Sequence, residues 1–229
     1  RNPLRPDPSV MTRVFRLGLP IGLTSLAEGG LFTASAIMMG WIGEIPLAAH
    51  GIALQLASLT FMVHIALSQA ATVRAGRAVG RGDETALRRG GLVAIAMSGL
   101  FVALTILVFL VFPAPLISIF IDPASPVKSD ILRLGTSLLA VAALFQLVDA
   151  AQVIALGLLR GIQDTAIPMV IAAISYWVLA LPASYVMAFT FGWGPQGLWL
   201  GLVVGLLFAA IALMWRFWAG RRAHPLGST

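Results

Sequence analysis

An all-α integral membrane fold, a bundle of six transmembrane helices, is predicted by composition, hydropathy and the placement of charge. Of the 229 residues, 59% are hydrophobic and only 10% are charged, whereas about a quarter of the residues of a soluble domain are charged. Mean hydropathy is +0.95. The apolar residues form long stretches and most charges lie between them, which indicates a surface that faces lipid.

Six apolar segments are long enough to span a bilayer, because a helix needs about 20 apolar residues to cross a ~30 Å hydrocarbon core. They are residues 17–41, 47–73, 91–112, 132–159, 166–191 and 198–218. We therefore expect a cytoplasmic lead-in at 1–16, a six-helix transmembrane lobe at 17–218 and a cytoplasmic tail at 219–229. Residues 113–130 hold four prolines around a short apolar run, so we expect an outer loop with an interfacial turn.

The basic residues predict the orientation of the helices. Thirteen of the fifteen lysine and arginine residues fall in the gaps on one side, and only Lys128 and Arg133 fall on the other. Because short cytoplasmic loops are enriched in positive charge, both termini are expected in the cytoplasm, in a protein that crosses the inner (plasma) membrane several times. Indole rings favour the membrane interface, and five tryptophans lie at or near predicted helix ends: Trp41, Trp193, Trp199, Trp215 and Trp218.

Composition argues against several other kinds of function. The net charge of +6 does not indicate a nucleic-acid partner, because the arginines stand at the ends of apolar segments. The chain has no cysteine, so disulfides, thiol nucleophiles and cysteine-ligated metals are excluded. With three histidines, a histidine-rich metal site is not expected either. We expect no cofactor, and membrane lipid as one partner.

Two carboxylates lie inside apolar helices, where an unpaired charge costs several kcal/mol and usually marks a transport or proton-relay site. Glu28 is twelve residues past Arg16 on the first predicted helix, and Asp149 is eleven residues before Arg160 on the fourth. Both are therefore roughly 17 Å from the basic side, close to the middle of the membrane. Two carboxylates at one depth could meet in a single site.

Such a pair has a definite chemistry. Burial favours the neutral form of a carboxyl group, so the pair could hold a proton, or bind Na⁺ at Glu28 and Asp149 when ionised. Helical spacing makes Phe145 and Gln146 possible neighbours of the cation site, and Gln152 shares the same face. The alternative is a structural carboxyl, protonated and hydrogen-bonded to a neighbouring helix.

A polar stripe on the second helix could line a cavity. Gln55, Ser58 and Met62 recur at three- and four-residue spacing, and Met is an adaptable contact for an amphiphilic solute. Ordinary hydrogen bonding between helices explains the stripe as well.

Glycine and proline positions predict features of helix packing. Gly197, Gly201 and Gly205 recur every four residues and predict that the last helix approaches another one closely. Pro20 and Pro182 lie within predicted helices, where they remove backbone hydrogen bonds and favour kinks.

From Arg16 to Trp218 the chain resembles the carboxyl-terminal lobe of a multidrug and toxic compound extrusion (MATE) transporter of the NorM type. The similarity rests on five stretches in order: LGLPIGLTSLAEGGLF, IPLAAHGIALQLASLTFM, RAGRAVGRGD, FQLVDAAQVIALGLLRGIQDTAIP and ISYWVLALPASYVM. The resemblance implies a fold of twelve helices in two lobes, of which this chain supplies one. The missing amino-terminal lobe is then a partner, and the linker-like start at Arg1 favours a piece of a longer protein over a half-transporter that dimerises.

The resemblance also implies a function, a secondary active antiporter that couples entry of H⁺ or Na⁺ to export of cationic or amphiphilic organic solutes. Glu28 and Asp149 match the acidic residues of its cation site. The NorM-type pattern often has tyrosine where this chain has Phe145, and loss of that hydroxyl favours H⁺ over Na⁺.

Two other classes of function compete with transport. An intramembrane aspartyl protease needs two aspartates, and only Asp149 lies at the midplane, so no enzyme is expected. A membrane scaffold without transport activity would have no use for Glu28 and Asp149, and their neutral substitution would then stabilise the fold.

Overall fold

The prediction of an all-helical membrane bundle is confirmed by a computed structural model, which describes residues 8–223. In that part of the chain six helices are long and apolar enough to cross a membrane. They are α1 (Pro8–Ile42), α2 (Glu44–Gly80), α3 (Glu84–Val111), α5 (Lys128–Gly161), α6 (Ala166–Thr190) and α7 (Gly194–Ala223), and a short α4 (Pro113–Ser118) separates α3 from α5.

The first helix begins earlier than hydropathy indicates. It starts at Pro8 rather than at Leu17, so residues 8–16 of the expected lead-in at 1–16 are helical. Residues 1–7 of that lead-in and residues 224–229 of the expected tail lie outside the described residues.

The proline-rich segment between α3 and α5 is more ordered than a loop with an interfacial turn. Pro113 occupies the first turn of α4, where a missing N–H costs nothing. Ile117 is fully buried and packs on α5, since a Cβ built on Gly135 would lie 3.1 Å from Ile117 Cδ1. The apolar run therefore covers the bundle at this end.

Helix α5 is the central element of the bundle. It packs most extensively on α2 and α7, and most residues of its apolar stretch are buried. Side chains of α2 bond its backbone: Ser68 Oγ donates to the Val153 carbonyl at 2.7 Å, and Thr72 Oγ1 donates to the Gly157 carbonyl at 2.7 Å. Such contacts let two helices pack closely without an unpaired hydroxyl in an apolar surrounding.

The close packing predicted from the glycines of α7 is confirmed, and its partner is α6. A Cβ on Gly197 would lie 2.6 Å from the Met187 carbonyl oxygen, and one on Gly205 would lie 2.6 Å from that of Ser175. Ser184 Oγ of α6 also donates to the Leu198 carbonyl at 2.9 Å.

Helix α6 is wound irregularly around Pro182. Residues Ile174–Ala180 and Val186–Thr190 are π-helical, with Leu181–Tyr185 as an α-helical turn between them. Proline cannot donate a backbone hydrogen bond and clashes with the preceding turn, and wider turns relieve both problems. Helix α1, by contrast, continues without interruption through Pro20.

Trp199 does not have the exposed side chain that its position near a predicted helix end suggests. Its side chain is fully buried, and its indole Nε1 donates to His50 Nδ1 at 3.1 Å. The first turns of α7 pack inside the bundle, so the indole finds its polar partner on α2 instead of in the headgroup region. Trp41 and Trp215 are exposed, as an interfacial position requires.

Polar contacts gather three chain segments at one end of the bundle. Arg216 of α7 pairs with Asp164, in the connection between α5 and α6, at 2.7 Å. Arg13 of α1 donates to Gln163 in the same connection at 3.4 Å. We call this the basic end.

Candidate functional site

Asp149 of α5 lies at the side of a cavity between α1, α2 and α5. Its side chain is 3% exposed, and its Oδ1 has no hydrogen-bond partner within residues 8–223. A buried carboxyl oxygen without a partner is costly in a folded protein, so it marks a position where a proton, an ion or a ligand fits. The cavity has a volume of about 170 Å³ and is lined by Phe32, Leu54, Ala57, Ser58, Phe61, Phe145 and Asp149.

The two predicted neighbours of Asp149 face different surroundings. Phe145 lines the cavity and meets two rings edge-on, Phe32 at 6.0 Å and Trp199 at 5.4 Å between centroids. Gln146 turns towards α2, where its Nε2 donates to the Ala57 carbonyl at 3.0 Å and to the Thr60 hydroxyl. Its Oε1 has no partner in the described part of the chain. Phe145 thus supplies an apolar wall and Gln146 joins α5 to α2.

Glu28 of α1 is half-buried, and it is not among the residues that line this cavity. The carboxyl groups of Glu28 and Asp149 are close enough for a charge on the first to act on the second. Next to Glu28, a Cβ on Gly30 would lie 2.7 Å from the Trp177 ring, so the glycine makes room for α6. Helices α1 and α6 therefore pack closely beside Glu28.

Sequence reasoning missed two residues that the fold adds to this region. Tyr176 of α6 is fully buried and lies within electrostatic range of both Glu28 and Asp149. Arg160, half-buried in the last turn of α5, is within electrostatic range of Glu28 and Tyr176. The available signal for Tyr176 was its position inside a predicted apolar helix, in a chain that has two tyrosines. No such signal pointed to Arg160, because it lies among the basic residues between predicted helices and indicated only the orientation of the helices.

The polar stripe of α2 is divided between the cavity and the outer surface. Ser58 lines the cavity, although its hydroxyl donates to the Leu54 carbonyl of its own helix at 2.8 Å. Gln55 and Met62 are exposed, with Met62 59% accessible, and neither lines this cavity. That Gln55 and Met62 line a cavity remains a prediction. Such a cavity would lie on the outer surface of the bundle and not in its interior.

Other acidic and histidine side chains have structural positions. Asp83, in the stretch GRGD that fits the GxGD pattern of intramembrane aspartyl proteases, is exposed and caps α3 by accepting from the Ala86 N–H at 2.8 Å. His64 bonds Ser98 of α3 at 2.9 Å. Within residues 8–223, no three His, Cys, Asp or Glu side chains come together as a metal site.

Residues 20–186 match the sequence profile of the MatE family. The chain is 44% identical to the probable multidrug resistance protein NorM of Rhizobium meliloti, over 93% of this chain and 46% of that protein. It is 46% identical to the corresponding protein of Agrobacterium fabrum, again over 93% of this chain and 46% of that protein. The chain thus spans about half the length of the curated relatives it matches.

Solved structures show the same fold at lower identity. An outward-facing conformation of a multidrug resistance MATE family transporter superposes with a TM-score of 0.85 at 22% identity, covering 100% of this chain and 50% of that one. A crystal structure of MATE in the straight conformation gives a TM-score of 0.85 at 20% identity, over 98% of this chain and 49% of that one.

Proposed function

The chain belongs to the MatE family, and we propose that it forms the carboxyl-terminal half of a secondary active antiporter that exports cationic or amphiphilic organic solutes in exchange for H⁺ or Na⁺. The relatives named as multidrug resistance proteins, of which the chain matches about half, support this proposal. The family consists of transporters rather than enzymes. The other half is the amino-terminal six-helix lobe of the same transporter.

The pair of acids in the bundle interior is the observation that carries the proposal. Asp149 is buried with an unpartnered oxygen, and Glu28, on another helix, lies within electrostatic range of it. An apolar surrounding disfavours two ionised carboxylates side by side, so the pair has a strong tendency to bind a proton or a hard cation. A purely structural carboxyl would instead be hydrogen-bonded to a neighbouring helix.

Binding and loss of the ion change the force between two helices. With one ion bound, the pair has a single negative charge, so α1 and α5 are not pushed apart by two carboxylates; with the ion gone, the two charges repel. This difference biases the equilibrium between two arrangements of the lobe, which is what coupling to alternating access requires. Pro20 of α1 and the wide turns around Pro182 of α6 are places where the helices beside the pair can bend.

The cavity gives the exported solute access to the same carboxyl. Its walls are mostly apolar and aromatic, and Asp149 is the acidic group among them. Aromatic faces attract organic cations and make contacts that depend on shape rather than on a fixed pattern of hydrogen bonds. A cationic solute next to Asp149 competes with the coupling ion, which makes the exchange obligatory. The amino-terminal lobe completes the cavity.

The proposed orientation in the inner membrane follows from charge. The basic end, where Arg13, Arg160 and Arg216 lie, faces the cytoplasm. A proton or Na⁺ entering from outside then leaves the acids towards this end.

Ion-driven efflux of ethidium from proteoliposomes of the complete transporter tests the proposal. We expect the double variant Glu28→Gln/Asp149→Asn to show no efflux driven by a pH or Na⁺ gradient, because no ionisable group remains to exchange the ion. The matched control is Glu44→Gln/Asp130→Asn, which neutralises exposed acids in the first turns of α2 and α5 and should behave as wild type. Unchanged gradient dependence in the first variant would rule the proposal out.

A further inference from the structure

Tyr176 is fully buried on a third helix, within electrostatic range of both acids, and the proposed transport cycle so far gives it no role. We propose that the Tyr176 hydroxyl donates a hydrogen bond to the ionised carboxylates after the coupling ion has left, and that Gln152 positions it for this. This inference rests on the proposed function and adds a residue to its ion site. Tyr176 then competes with the ion, and the site releases H⁺ or Na⁺ more readily because the tyrosine is present.

The contact with Gln152 places the phenol. Gln152 Nε2 donates to the Tyr176 hydroxyl oxygen, and both side chains are fully buried. Gln152 is three residues beyond Asp149 on α5 and shares its face. Its Oε1, like Asp149 Oδ1, has no partner in the part of the chain that the structure describes. Two unpartnered buried oxygens thus lie on the face of α5 that Tyr176 meets.

The hydroxyl still has a proton to donate. A phenol can accept two hydrogen bonds and donate one, and Tyr176 uses its oxygen to accept from Gln152. Gln152 is its one bonded partner in the part of the chain that the structure describes, so the hydroxyl proton has no acceptor when the Gln152 amide is the donor. The charged groups that act on it are Glu28 on α1 and Asp149 and Arg160 on α5. A carboxylate is the strongest available acceptor among these.

The other hydroxyls near the site are already committed. Ser58 donates to the Leu54 carbonyl at 2.8 Å, and Thr60 donates to the Ala57 carbonyl at 2.8 Å while accepting from Gln146. Phe145, which lines the cavity beside Asp149, has no hydroxyl. Tyr176 is therefore the hydroxyl in this region that is not bonded to a backbone carbonyl.

The backbone around Tyr176 has an unusual form that suits a functional position. Tyr176 belongs to the π-helical segment Ile174–Ala180 next to Pro182, and such wide turns are frequent at functional sites. The adjacent Ser175 donates to the Ile171 carbonyl at 2.6 Å, and its own carbonyl approaches Gly205 of α7 closely. These contacts keep the segment against α7 and direct the phenol towards α5.

The test is the pH dependence of ethidium-induced proton release by the complete, purified transporter. Tyr176→Phe removes a donor to the ionised state only, so the ion-free site loses stability and protons bind more tightly. We expect the pH of half-maximal release to rise by about one unit, equal to about a tenfold gain in proton affinity. In a Na⁺-driven protein, we expect about a tenfold gain in apparent Na⁺ affinity. Gln152→Leu should give a smaller shift in the same direction.

The chain offers a close control, because its other tyrosine lies on the same helix. Tyr185 is half-exposed, and Tyr185→Phe should leave the profile unchanged. A Tyr176→Phe profile identical to wild type, or weaker ion binding in that variant, would overturn the inference. Asp149→Asn separates the two proposals: if it abolishes ion release while Tyr176→Phe changes nothing, the ion site stands and the tyrosine's role falls.

Discussion

Asp149→Asn in the complete transporter is expected to abolish the ability of an ion gradient to concentrate ethidium. For exchange of one proton for one monovalent cation, each pH unit across the membrane sustains about a tenfold concentration ratio. Asparagine keeps the size of the side chain but binds no exchangeable proton, so the ratio should fall to one. Because the substitution removes a carboxyl that is 3% exposed, we also expect an unchanged or higher melting temperature.

Glu28→Gln alone should be less severe than Asp149→Asn. Glu28 is half-buried and has the cationic Arg160 within electrostatic range, whereas Asp149 is buried at the cavity. Glu28→Gln removes the negative charge that repels the Asp149 carboxylate and so favours ion binding. We therefore expect about a tenfold weaker dependence of transport on the coupling ion. Since the two acids act as a unit, the double variant should be no worse than Asp149→Asn. Additive losses in transport would show that the acids serve separate sites.

Gly201→Ala is expected to lower the free energy of unfolding by about 2–3 kcal/mol, and Gly201→Val to prevent folding. A Cβ at Gly201 would lie 2.6 Å from the carbonyl carbon of Ala183, and a backbone cannot move aside as a flexible side chain can. Helices α6 and α7 would have to separate, and the contact of Ser184 with the Leu198 carbonyl would break. Thermal unfolding of the purified transporter in detergent measures the effect.

A second glycine provides the control for this substitution. Gly99 lies inside α3, and a Cβ there meets nothing within 4 Å. Gly99→Ala should therefore be neutral or stabilising, by about 0.5–1 kcal/mol, because alanine has the higher helix propensity. A melting temperature of Gly201→Ala equal to that of wild type would contradict the close contact between α6 and α7.

The six helices could be predicted because hydropathy is a property of each segment by itself. The early start of α1 could not, since Arg13 and Arg16 interrupt the apolar residues of its first turns. The burial of Trp199 was also missed, because the position of a tryptophan near a helix end does not show whether that end packs inside the bundle.

The candidate site was predictable along one helix and not between helices. The spacing within α5 placed Phe145 and Gln152 on the face of Asp149, since neighbours on one helix follow from its period. Gln146 instead turns towards α2, which the period of α5 does not show. Tyr176 reaches the acids from α6, and that contact depends on which faces of three helices meet. The glycines of α7 likewise predicted a close partner without indicating that it is α6.

The most direct test of the central claim, that Glu28 and Asp149 form one ion-exchange site, is the number of ions released when ethidium binds to the purified complete transporter. Proton release in weakly buffered solution, with Na⁺ release measured in parallel, gives this number. We predict about one ion per transporter from this lobe in the wild type, none from Asp149→Asn, and the same release as wild type from the Asp130→Asn control. Release of the same number of ions by Asp149→Asn as by the wild type would contradict the claim.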